Sequence, residues 1–330
     1  MKITAARALS KQILTKLGFP AEEAELITQN LIEAELVEKP THGLIRLPNI
    51  AKLVAEGKIA VGGAEMSLIS ETRASLQFDG HHKAGFYVIY KSLEQAFTKA
   101  KATGLVAVAL KNLAYASGYI GDYARLAAEQ NLIFIGFHNS PAGLVPFGAK
   151  RSLWGTNPIT IGVPTHDAPV ILDMASSKTT WGNLLLAKSL GQTLPTTDLA
   201  IDQTGEPTSD PAAAMLGGLL PIAGHKGSGL ALIVELLAGG LSNSRVGKAV
   251  EGGWGSFYLL LDPTLFRRLD DFKNDVQKAL AEIKAAPKAK AVTEIFFPGE
   301  QAANKRQANL QMGTIEVSEK LLKNLEEMNT

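Results

Sequence analysis

The segment KPTHGLIRLP, residues 39–48, contains a histidine and an arginine at a spacing that acid–base chemistry could use. His42 lies between a threonine and a glycine, and its imidazole could exchange a proton with a bound substrate. Arg46 follows four positions later and approaches His42 only if residues 43–48 turn as a helix. A histidine in a polar turn after a proline needs no special role, so the segment alone favours a surface turn over a catalytic site.

A second segment of chemical interest is AGHKGSG, residues 223–229, directly before an apolar helix. Small residues around a lysine at a helix start leave backbone N–H groups free to bind an anion, and Lys226 adds a full positive charge. The segment is not the phosphate loop of the ATPases, because the required glycine five residues before the Gly-Lys pair is missing. A plain turn with a capping glycine explains it equally well.

Two further polar segments border predicted strands: LDMASS, residues 172–177, and WGTNPITIGVP, residues 154–164. Small residues after Asp173 let a ligand approach the backbone, and its carboxylate could accept hydrogen bonds from hydroxyl groups. An aspartate that caps the next turn is the stronger expectation for this position. The Gly-Thr-Asn-Pro turn could hold a cavity wall rigid, although a purely structural role also explains it.

Several familiar site types find no support in the sequence. No G-x-G-x-x-G follows a predicted strand, which disfavours a standard Rossmann crevice. The chain has no cysteine, which excludes disulfides, thiolate metal sites and a cysteine nucleophile. Its six histidines include the adjacent pair His81 and His82 but no His-x-x-x-His, so no metal site is predicted. A serine nucleophile in G-x-S-x-G is absent as well.

The composition is that of a globular protein of one large or two ordinary domains, with 330 residues, 46% of them hydrophobic. The formal net charge is +1 and the basic residues are dispersed, so no nucleic-acid partner is expected. The N-terminus lacks the features of a signal peptide. The most apolar run, residues 227–241, carries Glu235 and is too short to span a bilayer. We therefore expect a soluble cytoplasmic protein with no membrane partner.

The elements that position these segments follow from the spacing of apolar residues. Two helices are predicted within residues 4–37, broken at Gly18–Pro20. The strand–helix–strand order of residues 105–140 indicates an α/β fold with a covered sheet. Residues 226–242 are predicted as a core helix, and residues 284–292 as a flexible connector. Further helices are predicted at 45–57, 84–104, 120–131, 264–286 and 318–328, and strands at two places within 67–80 and at 105–112, 132–140, 159–165, 169–177 and 255–263.

Taken together, the segments resemble the type-2 malate/L-lactate dehydrogenase family, which includes diketogulonate reductase, ureidoglycolate dehydrogenase and piperideine- or pyrroline-2-carboxylate reductase. The resemblance implies an α/β, non-Rossmann nicotinamide-binding fold, consistent with the missing glycine fingerprint. It implies a helical N-terminal region, residues 1–65, packed with residues 296–330, and one or more α/β cofactor-binding domains in residues 66–295. The matching segments are THGLIRLP, YIGDYARLAAEQNLI, NSPAGLVPFGAKRSLWGTNPITIGVP, ILDMASS, GEPTSDP, GHKGSGLALIVELLAGGL and FFPGE.

The resemblance also implies a role for individual positions. His42 matches a proton donor or substrate contact, and Arg46 matches a residue that grips the substrate carboxylate, which suits the geometry of a guanidinium. Thr41 retains the hydroxyl that a serine supplies in most members. We expect NADH or NADPH to be bound by Ser140, Thr156, Asn157, Asp173, Met174, Ala175, Ser176, His225, Lys226, Gly227, Pro298, Gly299 and Glu300, with no metal.

One departure from the family pattern affects the expected substrate. Many members have a second histidine at the position of Ala116, and in some it is the acid–base catalyst. Tyr115, beside this position, could replace the missing donor. A cyclic imine can bind already protonated and asks less of a second acid. The alanine therefore favours a small carboxylated imine, such as pyrroline- or piperideine-2-carboxylate, over a 2-oxo acid, and His225 favours it too by resemblance.

Other predictions and alternatives stay open from the sequence. Lys178 could contact a 2′-phosphate and favour NADPH, although a solvated lysine is the stronger expectation. The resemblance implies a homodimer. Beside a reductase of carboxylated imines or 2-oxo acids, the alternatives are a malate/L-lactate-type 2-hydroxyacid dehydrogenase and a catalytically silent nucleotide-binding protein. A phosphate-loop ATPase carries little weight.

Overall fold

The structure, a computed structural model, describes residues 1–329. Helices and strands alternate along the chain, which confirms the predicted α/β class. Its elements are α1 (Ile3–Lys16), α2 (Ala21–Leu36), α3 (Leu47–Ala55), β1 (Ser67–Glu71), β2 (Ser75–Asp79), α4 (Gly85–Thr103), β3 (Leu105–Leu113), α5 (Gly121–Glu129), β4 (Ile133–His138), β5 (Ile159–Val163), β6 (Val170–Met174), α6 (Trp181–Ser189), β7 (Ala200–Ile201), α7 (Pro211–Gly217), β8 (Gly218–Leu219), α8 (His225–Val234), β9 (Trp254–Leu261), α9 (Leu269–Ala285), α10 (Glu300–Met312) and α11 (Glu319–Asn329).

A seven-stranded mixed sheet forms the centre of the fold, in the order β1-β2-β3-β9-β4-β5-β6. Within residues 1–329, β2 and β3 are its one parallel pair, and the other neighbours are antiparallel. The sheet is therefore not the parallel sheet of a Rossmann fold. Strand β9 enters between β3 and β4, so the two strands of the predicted strand–helix–strand unit are separated by a segment from far along the chain.

The largest hydrophobic core lies between this sheet and helices α4 and α5. Alternate residues of β3 and β4 are buried, as expected for strands covered on one side by helices. The rings of Phe134 and Tyr258 stack at 5.4 Å between centroids on adjacent strands. Packing of this kind fixes the register of the sheet, because a shift of one residue would turn the buried side chains outward.

The N-terminal helices form a second hydrophobic core, to which residues near the C-terminus contribute. The N-terminal ammonium group donates to the backbone oxygen of Ile315 at 2.9 Å. Glu33 of α2 accepts two hydrogen bonds from Arg306 of α10, and α1 packs against α11. These contacts join the two ends of the chain. The division into residues 1–65 with 296–330, and residues 66–295, stays a prediction.

The helix breaks and most strands fall where the sequence predicts them. Gly18 has a left-handed φ of +90° after α1, and Pro20 immediately precedes α2. Helices α6, α7 and α10 and the short strands β7 and β8 were not predicted. None of the helices in residues 1–329 is long and apolar enough to cross a membrane.

The prediction of a core helix at residues 226–242 is wrong in one respect. The segment is helical, as α8 followed by a π-helical turn at Glu235–Leu241. However, Leu230, Ile233 and Leu236, each three residues apart, are exposed. Apolar residues thus cover the outer face of this helix as well as its buried face.

Candidate functional site

The segment that carries His42 and Arg46 folds as two successive 3₁₀ turns, Pro40–His42 and Leu44–Arg46, that lead into α3. Pro40 begins the first turn, since its fixed φ suits a first helical position. The backbone N–H of Arg46 donates to Gly43 at 3.0 Å. The Arg46 side chain folds back and donates from Nε to the backbone oxygen of Thr41 at 2.6 Å. Residues 43–48 therefore turn as a common site requires, and the Arg46 side chain returns to Thr41, the residue before His42.

His42 is half-buried, and its Nδ1 lies 3.1 Å from the Thr41 hydroxyl. Burial, together with the positive charges of Arg46 and Lys39, lowers the pKa of His42 to about 3. Its imidazole is therefore neutral near pH 7. A neutral imidazole can accept a proton at one nitrogen while the other is held by a hydrogen bond.

Tyr115 lies beside Arg46, and its phenol oxygen accepts a hydrogen bond from Nη1 at 3.2 Å. The residue has a left-handed φ of +49° and packs against the rings of Phe86 and Trp254. Its neighbour Ala116 is buried in the N-terminal hydrophobic core. The position at which many family members have a second histidine is thus occupied here by a core residue, with Tyr115 next to it at the arginine.

Lys39, which the sequence did not single out, joins this cluster to strand β6. Its Nζ lies 2.8 Å from Oδ2 of Asp173 and 4.8 Å from the centre of the Tyr119 ring. Lys39 and Asp173 line a cavity of 410 Å³ with Phe296, Pro298 and Gly299, a volume within the range of about 300–1,000 Å³ usual for ligand sites. Residues 134 positions apart form this ion pair, so no local pattern could have revealed it.

The Pro298–Glu300 segment is held against β6 at this cavity. The backbone N–H of Ile171 donates to Pro298 at 3.0 Å. Gly299 has a φ of +90°, and a Cβ there would lie 2.8 Å from the nitrogen of Ile171, so glycine allows the close approach. Glu300 accepts from the backbone of Phe297 and from Lys284, and therefore stabilises the start of α10.

A third group of predicted residues is held together by mutual hydrogen bonds. Ser176 donates from its backbone to Thr156 at 2.8 Å and from its hydroxyl to the backbone oxygen of Asn157 at 2.6 Å. Asn157 donates to the buried carboxyl of Glu235 at 2.8 Å, but its own Oδ1 is buried without a partner. Ser140 lies against the same turn, because a Cβ on Gly155 would meet its hydroxyl. An unpaired buried acceptor at this place is compatible with a polar ligand.

The start of α8 differs from the prediction of free backbone donors. The N–H groups of Lys226, Gly227 and Ser228 donate to Ala223, Ile222 and Gly224 at 3.3, 3.0 and 3.1 Å. The first turn is thereby satisfied internally, and the prediction that these groups are free for an anion is wrong. The charge of the exposed Lys226 side chain still faces solvent there, and the His225 ring lies edge-on to Phe147 at 6.0 Å.

The predicted residues thus fall into four neighbouring groups rather than one enclosed pocket. Thr41, His42, Arg46 and Tyr115 form one. Asp173, Pro298 and Gly299 line the cavity, and Glu300 follows them at the start of α10. Met174 and Ala175 lead along the chain from Asp173 to the Ser176 group. The remaining group is the start of α8; Asn157 contacts the same helix further along, where it donates to the backbone oxygen of Ala231 at 3.0 Å. Residues 1–329 hold no cluster of three or more metal-ligating side chains.

The nicotinamide cofactor fits these residues on two observations. Asp173 lines the cavity of 410 Å³, and Asn157 offers an unpaired buried oxygen in the adjoining group. Asp173, an acceptor at the cavity wall, suits sugar hydroxyls, and the exposed lysine at the start of α8 suits a phosphate.

Comparisons with known proteins identify the family of this chain. A family model described as malate/L-lactate dehydrogenase matches residues 1–326. L-sulfolactate dehydrogenase of Methanothermobacter thermautotrophicus is 30% identical over 323 residues, which covers 96% of this chain and 92% of that protein. Delta(1)-pyrroline-2-carboxylate reductase of Ancylobacter novellus is 32% identical over 306 residues, with 89% of each covered.

The fold is shared with solved structures over nearly its full length. Sulfolactate dehydrogenase from Methanocaldococcus jannaschii superposes with a TM-score of 0.89 at 31% identity, over 99% of this chain and 96% of that one. The family model and both relatives carry the names of dehydrogenases or reductases. The chain therefore belongs to the malate/L-lactate dehydrogenase family, and it is an oxidoreductase that uses a nicotinamide cofactor.

Proposed function

We propose that this oxidoreductase transfers hydride between NAD(P)H and the α-carbon of a small carboxylate, either a cyclic imine such as pyrroline- or piperideine-2-carboxylate or a 2-oxo acid. The observation that supports it is the group of Thr41, His42, Arg46 and Tyr115. It combines a carboxylate-binding guanidinium with a titratable imidazole in one turn. A catalytically silent nucleotide-binding protein would have no use for this combination.

In the proposed reaction, Arg46 binds the substrate carboxylate, and His42 donates or accepts the proton that accompanies hydride transfer. The bound nicotinamide supplies or accepts the hydride. A carboxylate at Arg46 offsets one of the two positive charges that lower the pKa of His42, so substrate binding raises that pKa. For a 2-oxo acid, His42 must first take up a proton from solvent and then deliver it to the developing alkoxide. A protonated imine carries its own proton, and for the reverse oxidation of a 2-hydroxy acid the neutral imidazole is already a base.

Lys39 supports a second candidate, a 2-hydroxyacid dehydrogenase whose substrate has two acidic groups. Lys39 precedes His42 in the sequence and Arg46 follows it, and the positive charges of both residues lower the pKa of this histidine. Lys39 pairs with Asp173 at 2.8 Å, so the second acidic group of a substrate must displace that carboxylate before the two cations favour a dianion over a monocarboxylate. The relative from Methanothermobacter is named for sulfolactate, which carries a sulfonate and a carboxylate.

The coenzyme is proposed as NADH or NADPH without preference. Lys178, the residue considered for a 2′-phosphate, forms an ion pair with Asp198 at 2.9 Å, so its charge is already matched. We propose a cytoplasmic location, on the basis of the cysteine-free sequence.

The test is a substrate panel with each coenzyme. Purified protein is assayed for NADH and NADPH oxidation with pyrroline-2-carboxylate, piperideine-2-carboxylate, pyruvate and oxaloacetate, and for the reverse reaction with lactate, malate and sulfolactate. Turnover of an imine or a mono-acid supports the first candidate, and selective turnover of diacids supports the second. Coenzyme binding without any turnover would refute both and leave the silent nucleotide-binding protein.

We also propose a homodimer that covers the exposed apolar face of α8 and the π-helical turn. Leu230, Ile233, Leu236 and Leu241 are 40–58% exposed there. An apolar face on a helix that is also buried on its other side is typical of an interface. Light scattering should give twice the 35.1 kDa of one chain for the wild type. Ile233→Glu should yield monomer, whereas Phe266→Glu, at a more exposed apolar position elsewhere, should not; a monomeric wild type would overturn the proposal.

A further inference from the structure

Glu35, in the last turn of α2, lies directly beneath the turn that carries His42 and Arg46. Glu35 is buried, with 5% of its surface exposed. Its Oε1 accepts a hydrogen bond from the backbone N–H of Leu44 at 2.7 Å. Leu44 begins the 3₁₀ turn that ends at Arg46, so this one carboxyl oxygen fixes the backbone midway between the two proposed substrate-binding side chains.

The carboxyl group of Glu35 packs directly against the backbone of Gly43 in this turn. A Cβ on Gly43 would lie 2.1 Å from Oε1 and 2.4 Å from Cδ of Glu35. Gly43 has a negative φ of −91°, so backbone conformation alone does not require glycine here. The carboxyl group occupies the space that any larger residue after His42 would need, and its position and that of the turn are therefore mutually dependent.

The positively charged groups of the turn and of α10 are engaged elsewhere, as are Lys11 of α1 and Lys91 of α4, which pair with other glutamates. On the turn itself, Lys39 pairs with Asp173, and Arg46 donates to Thr41 and Tyr115. His42 is neutral near pH 7. On α10, which packs against α2, Lys305 pairs with Glu38 and Arg306 with Glu33.

Without a neutralising cation, burial dominates the ionisation of Glu35. Burial raises its pKa to about 7, against the smaller opposing effect of the Leu44 hydrogen bond. The closed turn therefore binds a proton on this carboxyl more tightly than a conformation in which Glu35 reaches water. By linkage, deprotonation must favour the hydrated, open conformation.

We propose that Glu35 is a positioning residue for the proposed reaction: its neutral carboxyl latches the His42–Arg46 turn in the closed, substrate-binding conformation, and its ionisation releases the turn. Glu35 acts through the backbone of Gly43 and Leu44 and does not touch the substrate. Because the turn places Arg46, loosening it weakens substrate binding more than it slows the bound complex. The inference rests on the proposed role of Arg46.

Two substitutions separate the latch from a merely structural contact. Glu35→Gln keeps an oxygen acceptor for Leu44 and cannot ionise, so it should hold the turn closed at every pH. Glu35→Ala removes the acceptor and should leave the turn loose at every pH. Glu38→Gln is the matched control, since Glu38 is an exposed carboxylate three residues further on, paired with Lys305 rather than with the turn.

The kinetic experiment measures KM and kcat between pH 6 and 8.5 with the 2-oxo acid that is turned over fastest, because its carboxyl does not titrate in this range. We expect KM of the wild type and of Glu38→Gln to rise at least about threefold with pH while kcat changes less, following the linkage. KM of Glu35→Gln should stay near its low-pH value. Retention of the wild-type KM profile in Glu35→Gln would overturn the proposal.

Amide hydrogen exchange of the peptide that spans residues 40–48 tests the latch without substrate. After correction for the intrinsic pH dependence, exchange should accelerate above pH 7 in the wild type, stay slow in Glu35→Gln and be fast throughout in Glu35→Ala. Equal protection in all three proteins would overturn the latch. If no substrate is turned over, the proposed reaction fails while this measurement still decides the role of Glu35.

Discussion

Replacement of Arg46 by lysine tests whether the guanidinium binds the substrate through its fork or only through its charge. A guanidinium has about five N–H donors. Arg46 uses one on Nε for the backbone oxygen of Thr41 at 2.6 Å and one on Nη1 for the Tyr115 hydroxyl at 3.2 Å. The remaining donors are free for a carboxylate. The lysine ammonium carries its donors on one nitrogen and cannot span Thr41, Tyr115 and a two-oxygen ligand together.

The expected loss is that of one charge-assisted hydrogen bond to the substrate. Such a bond contributes about 1.5–3 kcal/mol. At about 1.4 kcal/mol per factor of ten, KM for the carboxylate should rise roughly 10- to 150-fold. The bond is present both in the bound substrate and in the transition state, so kcat should change much less.

The assay is steady-state oxidation of NAD(P)H with the substrate identified from the panel, for the wild type and Arg46→Lys. Arg73→Lys is the matched control, since Arg73 is an exposed arginine in the turn between β1 and β2. A KM within about threefold of wild type, or a fall in kcat alone, would refute the assignment of Arg46 to the carboxylate, because either result lies outside the range worked out above.

Three further predictions follow from the same geometry. His42→Ala should lower kcat by about a hundredfold or more with little change in KM, since a positioned acid–base group is lost; an unchanged kcat would remove His42 from catalysis. Gly299→Ala should cost about 1–3 kcal/mol of folding free energy, because the new Cβ would lie 2.8 Å from the nitrogen of Ile171 at a φ of +90°; an unchanged melting temperature and coenzyme KM would contradict this. Because the pKa of Glu35 is raised from 4.5 to about 7 in the folded protein, this group stabilises the folded state fully below pH 4.5. That stabilisation is lost as the pH rises to about 7. Relative to Glu35→Gln, the wild type should therefore lose about 3 kcal/mol of unfolding free energy over that range, at about 1.4 kcal/mol per pH unit; parallel urea-denaturation profiles would contradict it.

The local elements could be predicted because their signals lie within a few residues. Gly18 and Pro20 end one helix and start the next through their own backbone preferences, whatever surrounds them. The alternation of β3 and β4 likewise reflects burial on one side of each strand. The matching segments of the family were recognisable for a related reason, since each is a short run of adjacent residues.

The outer face of α8 was wrongly predicted to be buried, because the sequence pattern cannot distinguish burial inside one chain from burial between two chains. Leu230, Ile233 and Leu236 have the spacing of a core helix, yet in the single chain they are exposed. The same residues would be buried within a fold or between two copies. The free N–H groups at Lys226 were misjudged similarly, because their acceptors in the preceding turn depend on its three-dimensional course.

By itself, the sequence determined the class of the fold, the position of most helices and strands, and the family to which the chain belongs. The tertiary structure alone decided how these residues interact. It inserted β9 between β3 and β4, paired Lys39 with Asp173 and placed the Glu35 carboxyl under the His42–Arg46 turn. Sequence patterns report each residue's own preferences and those of its near neighbours. Charge, burial and hydrogen bonding at a site depend on side chains that only the folded chain brings together.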